Sequence, residues 1–149
     1  MPVPVHQPVP SLGGVLVRYR PVMAVRLTAS APSRLFDGLI DSRADDTVFT
    51  DSVATTLGID LQGAEDRSVH LVGRPTPIRI RYAPVQLLIS DGDQETFEWT
   101  AVVGFVSGRL HYNLLGQAGF LQFFDCSLRG EPDYEALLAP KASFPGRRH

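Results

Sequence analysis

The sequence predicts an all-β domain, mainly antiparallel, that contains one or two short helices. Residues 78–82 alternate apolar and polar or charged side chains, which is the period of a strand with one buried face. The dipeptide Asp91-Gly92 separates two apolar stretches, and it tolerates the positive φ angles of a tight hairpin turn. Short runs rich in β-branched and aliphatic residues, as strands require, occur at 15–20, 22–28, 35–40 and 85–89.

Residues 95–105 read as the return strand of that hairpin. Four apolar residues alternate along it and are predicted to share a buried face: Phe97, Trp99, Ala101 and Val103. Strands joined by short turns pair antiparallel. This hairpin therefore anchors the predicted sheet.

One helix is well indicated, at residues 52–57. Thr50 or Asp51 stands where a helix N-cap is favoured. Gly58 stands where a left-handed residue commonly ends a helix. The segment is short, so it interrupts the β domain without changing its class.

Composition limits the functions open to the chain. With 149 residues, a formal net charge of −2 and a single cysteine, the chain fits one domain and has no basic footprint for nucleic acid. It has neither an internal disulfide nor a cysteine-based zinc site. No signal-peptide pattern or apolar run of membrane-spanning length occurs. The expectation is a cytoplasmic protein with no nucleic-acid or membrane partner.

The chain divides into three predicted regions. Residues 1–13 form a Pro-rich N-terminal arm that ends at Gly13. Residues 14–130 form the folded domain, which is close to the usual size of one domain. Residues 131–149 form a C-terminal tail with three prolines.

The segment 38–49 carries the most chemical information. A short apolar strand delivers Asp41 and Ser42 into a polar loop, and an apolar strand resumes at Val48. A carboxylate at a strand end is costly to bury unless it is hydrogen-bonded or functional. The simpler interpretation is an Asx turn, in which the aspartate bonds to its own loop backbone.

Residues 39–49 resemble the active-site loop of the retropepsin-like aspartic proteases. The pattern of that family is two apolar residues, Asp, Ser or Thr, Gly, Ala, and Asp or Ser, followed by a strand. The segments that match are Leu39-Ile40-Asp41-Ser42, Ala44-Asp45 and Thr47-Val48-Phe49. Residues 113–121 resemble the family's apolar-apolar-Gly segment and short C-terminal helix, and residues 68–82 occupy the position of its flap hairpin. The resemblance covers roughly residues 22–128.

The resemblance implies a closed β-barrel of the acid-protease type and a homodimeric aspartic endopeptidase. Each chain would give one Asp41 to a dyad that shares a proton and activates water. Ser42 would fix the loops across the interface. The residues implied to bind a peptide or protein substrate are Ala44, Asp45, Val72 and Gly73. No cofactor and no metal ion are expected.

Arg43 departs from the family pattern, which has glycine at this position. A side chain there demands a different loop path, and a guanidinium beside the dyad favours two ionised carboxylates over a shared proton. The alternative function is therefore a catalytically silent dimerisation or peptide-binding module with the same fold.

Other site types fit the sequence less well. The acidic residues Asp41, Asp45, Asp46 and Asp51 lack the central glycine and terminal glutamate of an EF-hand loop. The four histidines are scattered, which does not indicate a zinc centre. Ser42 has no Gly-x-Ser-x-Gly setting, which argues against a serine nucleophile.

Overall fold

The computed structural model describes residues 3–6, 17–70, 73, 75–91, 95–130 and 135–149. The first half contains β1 (Val3–His6), β2 (Val17–Arg20), β3 (Val22–Thr28), β4 (Arg34–Ile40), β5 (Val48–Thr50), α1 (Asp51–Thr56) and β6 (Asp66–Val69). The second half contains β7 (Ile78–Ser90), β8 (Thr96–Val106), β9 (Asn113–Leu115), β10 (Phe124–Leu128), β11 (Ala136–Pro140) and β12 (Arg147–Arg148).

Six strands close into a barrel. The main sheet has eight strands in the order β12-β8-β5-β9-β4-β3-β7-β6, and β8 also pairs with β7, which closes the ring from β8 to β7. Strand β6 extends β7 and strand β12 extends β8. Most pairings are antiparallel; β4–β9 and β5–β8 are parallel. The predicted all-β, mainly antiparallel class is confirmed.

The β7–β8 hairpin forms the longest part of the barrel wall. It pairs from Ile80 with Val106 to Ser90 with Thr96, as the turn signal predicted, although residues 92–94 of the turn lie outside the described part of the chain. The alternating residues of β8 from Phe97 to Val103 are buried, with Trp99 only 2% exposed. Burial of each large apolar side chain contributes about 1.5–3 kcal/mol.

Helix α1 is confirmed, with bounds one residue from the prediction. Leu57 is its C-cap and Gly58 follows with φ 69°. The second helix implied for the end of the 113–121 segment is absent from the described residues, because residues 119–123 form turns. Gly119 has φ 90° there, and its carbonyl accepts a hydrogen bond from Trp99 Nε1 at 3.0 Å. Both features oppose a continuous helix.

The C-terminal segment lies against the barrel. Strand β11 pairs antiparallel with β10, and His149 exchanges two backbone hydrogen bonds with Thr96. The Phe144 ring belongs to an aromatic cluster with Phe97, Trp99, Phe120 and Phe124. Edge-to-face packing of such rings adds specificity to the area they bury.

At the N-terminus, β1 and β2 form a separate antiparallel pair, Val3 opposite Arg20. Part of the predicted arm, 1–13, is therefore extended, and its other residues lie outside the described ranges.

Within the described ranges, no helix has the length and apolar character needed to cross a membrane.

Candidate active site

Asp41 stands at the end of β4, beside the end of the parallel strand β9. Ile40 is paired with Leu115, and the Asp41 amide donates to the Leu115 carbonyl at 3.1 Å. The two strands approach closely because Gly38 has no side chain: a Cβ there would lie 2.8 Å from Leu115 Cγ. Ile40 and Leu115 are buried, so they fix the strand ends from which Asp41 emerges half-buried.

The Asp41 carboxylate takes part in a tight turn. The Arg43 amide donates to Asp41 Oδ1 at 2.9 Å, and the Ala44 amide donates to the Asp41 carbonyl at 3.2 Å. The Asx turn considered from the sequence is therefore present. Among the described residues no donor reaches Asp41 Oδ2, so one oxygen of the half-buried carboxylate is uncommitted.

The Asp41 loop, residues 41–47, is clasped by the Gly116 loop, residues 116–123. The Gln117 amide donates to the Ala44 carbonyl and the Ala118 amide to the Asp45 carbonyl, each at 2.8 Å. A Cβ on Gly116 would collide with the Asp46 carbonyl oxygen and lie 2.7 Å from that of Ala44. The close approach therefore requires glycine at position 116.

Thr47 joins the two loops from the inside. Its side chain is 1% exposed, the one buried polar or charged side chain among the described residues. Its Oγ1 accepts a hydrogen bond from the Gly116 amide at 3.2 Å. Its own amide donates to the Ala118 carbonyl at 3.0 Å. A buried polar group paired in this way holds the loops in one arrangement.

The remaining predicted residues of the Asp41 loop lie on its surface. Ser42 and Asp45 are exposed and Ala44 is half-buried. The Ser42 carbonyl accepts a hydrogen bond from Gln117 Nε2 at 2.9 Å. The Arg43 side chain is exposed, and it forms no ion pair within the part of the chain that the structure describes. The loop thus turns tightly despite carrying arginine at position 43.

The segment predicted as a flap contains an antiparallel pair of β6 and the start of β7, here called the β6–β7 hairpin (residues 66–69 and 78–81). Asp66 pairs with Arg81 and Val69 with Ile78. Gly73 lies exposed near its tip with φ 86°, a conformation that glycine adopts at little cost. Val72, the other predicted substrate-binding residue of this segment, lies outside the described residues.

Tyr82 connects the base of this hairpin to the Asp41 loop. Its hydroxyl donates to Asp46 Oδ2 at 2.9 Å. Burial, and then the hydrogen bond to Asp46, raise the pKa of Tyr82 to about 12. The sequence places Asp46 next to the predicted site, but no pattern indicates that Tyr82, 36 residues away, is its partner.

Metal binding finds no support in the geometry. Among the described residues no three His, Cys, Asp or Glu side chains lie together in a way that would hold a metal ion. Asp46 bonds to a tyrosine, and Asp51 begins helix α1.

No protein-family model matches the chain, and no curated protein matches it in sequence. Among solved structures, the chain is similar to the crystal structure of a retropepsin-like aspartic protease from Rickettsia conorii. The two share 16% sequence identity with a TM-score of 0.48, over 72% of this chain and 75% of that chain.

Proposed function

We propose that the protein is an aspartic endopeptidase that works as a homodimer, with one Asp41 from each chain. The observation that supports this proposal is the position and hydrogen bonding of Asp41 at the end of β4. Its backbone is fixed by Leu115, while its half-buried carboxylate keeps Oδ2 free of protein donors among the described residues. A rigidly held carboxylate with one uncommitted oxygen suits proton transfer to and from a substrate.

The chemistry follows from two such carboxyl groups brought together. Two carboxylates a few ångströms apart do not both ionise readily, so they share one proton. The ionised Asp41 accepts a proton from water as the water oxygen attacks the peptide carbonyl carbon. The protonated Asp41 donates to the carbonyl oxygen, and the C–N bond then breaks as the amine nitrogen takes up a proton.

The need for two chains follows from the count of suitable acids. The Asp41 loop is clasped by the Gly116 loop, and residues 113–123 contain no acidic side chain. A second carboxylate in the same structural setting is therefore supplied by a second copy, and a symmetric pair places identical loops around one axis. The exposed side chains of Ser42 and Arg43 lie on the loop that would face the partner.

A specific observation supports the alternative, a silent dimerisation or peptide-binding module. Arg43 takes the position of the family's glycine, and its amide engages Asp41 Oδ1. If both guanidinium groups approach the dyad in the dimer, both carboxylates stay ionised and the general acid is missing. The exposure of Arg43 in the single chain favours an outward orientation, because a charged group avoids a dry site without partners.

Cleavage of a peptide library at acidic and neutral pH tests the proposal. Asp41→Asn keeps an oxygen acceptor for the Arg43 amide, so the loop should survive while turnover falls by about 100-fold or more. Asp60 provides a matched control, because its carboxylate also accepts from a backbone amide two residues ahead, that of Gln62 at 2.9 Å. Asp60→Asn should leave turnover unchanged.

Sedimentation of the same samples tests assembly. The proposal expects activity to follow the dimer fraction as the protein is diluted. Full activity in a strict monomer would contradict it. A stable dimer that binds peptides but cleaves none, under any of these conditions, would instead establish the silent module.

A further inference from the structure

The base of the β6–β7 hairpin meets the Asp41 loop at one polar contact. Tyr82 Oη donates to Asp46 Oδ2 at 2.9 Å. Within the described residues, this is the single side-chain hydrogen bond that links residues 65–82 to residues 41–50. A hydrogen bond to a carboxylate is generally stronger than one between neutral groups. The contact is therefore suited to hold one element against the other.

Gly104 lies next to the Tyr82 ring. It lies on β8 between Tyr82 on one side and Val48 on the other. A Cβ at this position would lie 2.5 Å from Ile80 Cγ2 and 3.5 Å from Tyr82 Cε1. The close approach of Ile80 requires glycine at this position, and the Tyr82 ring lies beside it at ordinary van der Waals distance.

Tyr82 also stands where the hairpin leaves the barrel. Strand β7 is paired with β8 from Ile80 onward, whereas Ile78 and Arg79 pair with β6 alone among the strands of the described residues. The Tyr82 amide donates to the Glu65 carbonyl at 2.9 Å, which fixes the other arm of the hairpin at the same level. Tyr82 is thus placed at the pivot of the hairpin.

Asp46 belongs to the clasped part of the Asp41 loop. It forms a parallel bridge with Ala118, and its carbonyl oxygen is one of those that exclude a side chain at Gly116. An acceptor held in this way is fixed by contacts that do not involve the hairpin. The bond from Tyr82 therefore ties a projecting element to a fixed one.

Apolar contacts also join the two elements, but they specify orientation less. A small cluster contains Val48 of β5, Ile80 of β7 and Val106 of β8, with Val69 and Ile78 of the hairpin packed against it. Hydrophobic attraction is non-directional, so this cluster holds the hairpin close without fixing its angle. The hydrogen bond supplies the direction.

We infer that Tyr82 is a positioning residue that sets the angle of the β6–β7 hairpin over the Asp41 loop by donating to Asp46. The inference rests on the proposed function only where it assigns the hairpin a role over bound peptide. The coupling itself is a property of the folded chain. Loss of the hydroxyl leaves the barrel intact and frees the hairpin at its pivot.

Hydrogen exchange measures the coupling without any assumption about activity. Tyr82→Phe should speed exchange at the β6 amides by about tenfold, as expected for the loss of one hydrogen bond, while amides of β3 keep their rates. Asp46→Ala should have the same effect, and Asp46→Asn, which retains an acceptor oxygen, should restore most of the protection. Tyr112→Phe is the matched control, because no hydrogen bond of its hydroxyl is found within the described part of the chain.

A double-variant cycle completes the test. Tyr82→Phe combined with Asp46→Ala should be no faster than either single variant, because both remove the same bond. Unchanged exchange in the hairpin, or an equal rise in β6 and β3, would overturn the inference. If Tyr82→Phe does not fold, the two Asp46 variants decide the same point, since equal exchange in both would also overturn it.

Peptide kinetics separate this inference from the proposed function. In an active enzyme, a loosened hairpin should raise KM more than it lowers kcat. If the parent protein cleaves no peptide but hairpin exchange responds as described, the proposed function fails and the coupling stands. If cleavage depends on Asp41 but Tyr82→Phe changes neither KM nor hydrogen exchange in the hairpin, the coupling fails and the function stands.

Discussion

Strands β4 and β9 run parallel and each ends in a loop, yet the two loops have different parts in the site. The loop after β4 carries Asp41 and the exposed polar residues around it. The loop after β9 has no acidic side chain, and instead supplies the backbone amides of Gln117 and Ala118 to the first loop. One loop therefore carries the carboxylate of the proposed site, and the other fixes its shape from about 70 positions further along the chain.

We therefore expect the substitution most damaging to the structure of the candidate site to lie in the Gly116 loop, which carries no acidic side chain. Gly116→Ala would drive a Cβ into the carbonyl groups of Ala44 and Asp46. Backbone oxygens held on both sides cannot move aside as a side chain can, so we expect a loss of unfolding free energy of about 3 kcal/mol or more. Chemical denaturation measures this loss.

Gly130→Ala is the control for that substitution, because a Cβ there meets nothing within 4 Å. It should change the unfolding free energy by less than about 0.5 kcal/mol. Equal stability of the two variants would show that the Gly116 loop yields, and that it does not clasp the Asp41 loop as described.

A smaller effect is expected at the buried hydroxyl between the loops. Thr47→Val preserves the shape of the side chain but leaves the Gly116 amide without its acceptor. The expected cost is about 1–3 kcal/mol, the penalty for an unsatisfied buried donor. Thr100→Val on the exposed face of β8 is the matched control. Thr47→Ser, which keeps the oxygen, should recover part of the loss; if it is no better than Thr47→Val, the hydrogen bond is not the cause.

The sequence predicted the loop with the acid better than the contacts that support it. The Asp41 segment and residues 113–121 were found through a family pattern, and the structure pairs the strands of the two segments, β4 and β9, in parallel. The helix implied for 113–121 was wrong because Gly119 and its bond from Trp99 impose turns. Such a bond depends on tertiary packing, which a local pattern does not contain.

Contacts between segments that are distant in the sequence could also not be predicted from the sequence pattern. Tyr82 alternates with Ile80 on β7, which indicates a strand but not a partner for the hydroxyl. Its bond to Asp46 joins residues that lie 36 positions apart in the sequence. Phe144 was assigned to the C-terminal tail, and it packs against Trp99 and Phe124. Register and barrel closure determine both contacts.

Substitutions of Arg43 test the chemistry that we propose for the Asp41 loop. Arg43→Gly should raise peptide turnover at least tenfold, about 1.4 kcal/mol of transition-state stabilisation, because glycine frees the loop backbone and removes the charge that, if it turned inward in the dimer, would ionise both carboxyl groups of the proposed dyad. Arg43→Ala removes the charge alone and separates the two causes. If Arg43→Gly cleaves no better than the parent while Asp41→Asn abolishes a robust activity, Arg43 is harmless to catalysis.

The contact between the hairpin and the Asp41 loop should also affect the free energy of unfolding at alkaline pH, and this is the smallest effect that we expect. Burial, and secondly the hydrogen bond to Asp46, raise the pKa of Tyr82 from 10.0 to about 12, with Glu65 acting in the same direction and Arg67 against it. A raised pKa means that the folded chain holds this proton more tightly than the unfolded chain does. The resulting stabilisation is complete below pH 10 and is lost as the pH rises to about 12.

Tyr82→Phe should therefore reduce the fall of unfolding free energy between about pH 10 and pH 12, while lowering stability slightly at pH 8, where the neutral hydroxyl donates to Asp46. Urea denaturation across this pH range measures both effects. An identical slope in the Tyr82 variant and the parent would mean that Tyr82 ionises as freely in the fold as in the unfolded chain. The hydroxyl would then not be committed to Asp46, and the Asp41 loop would be held from the β9 side alone.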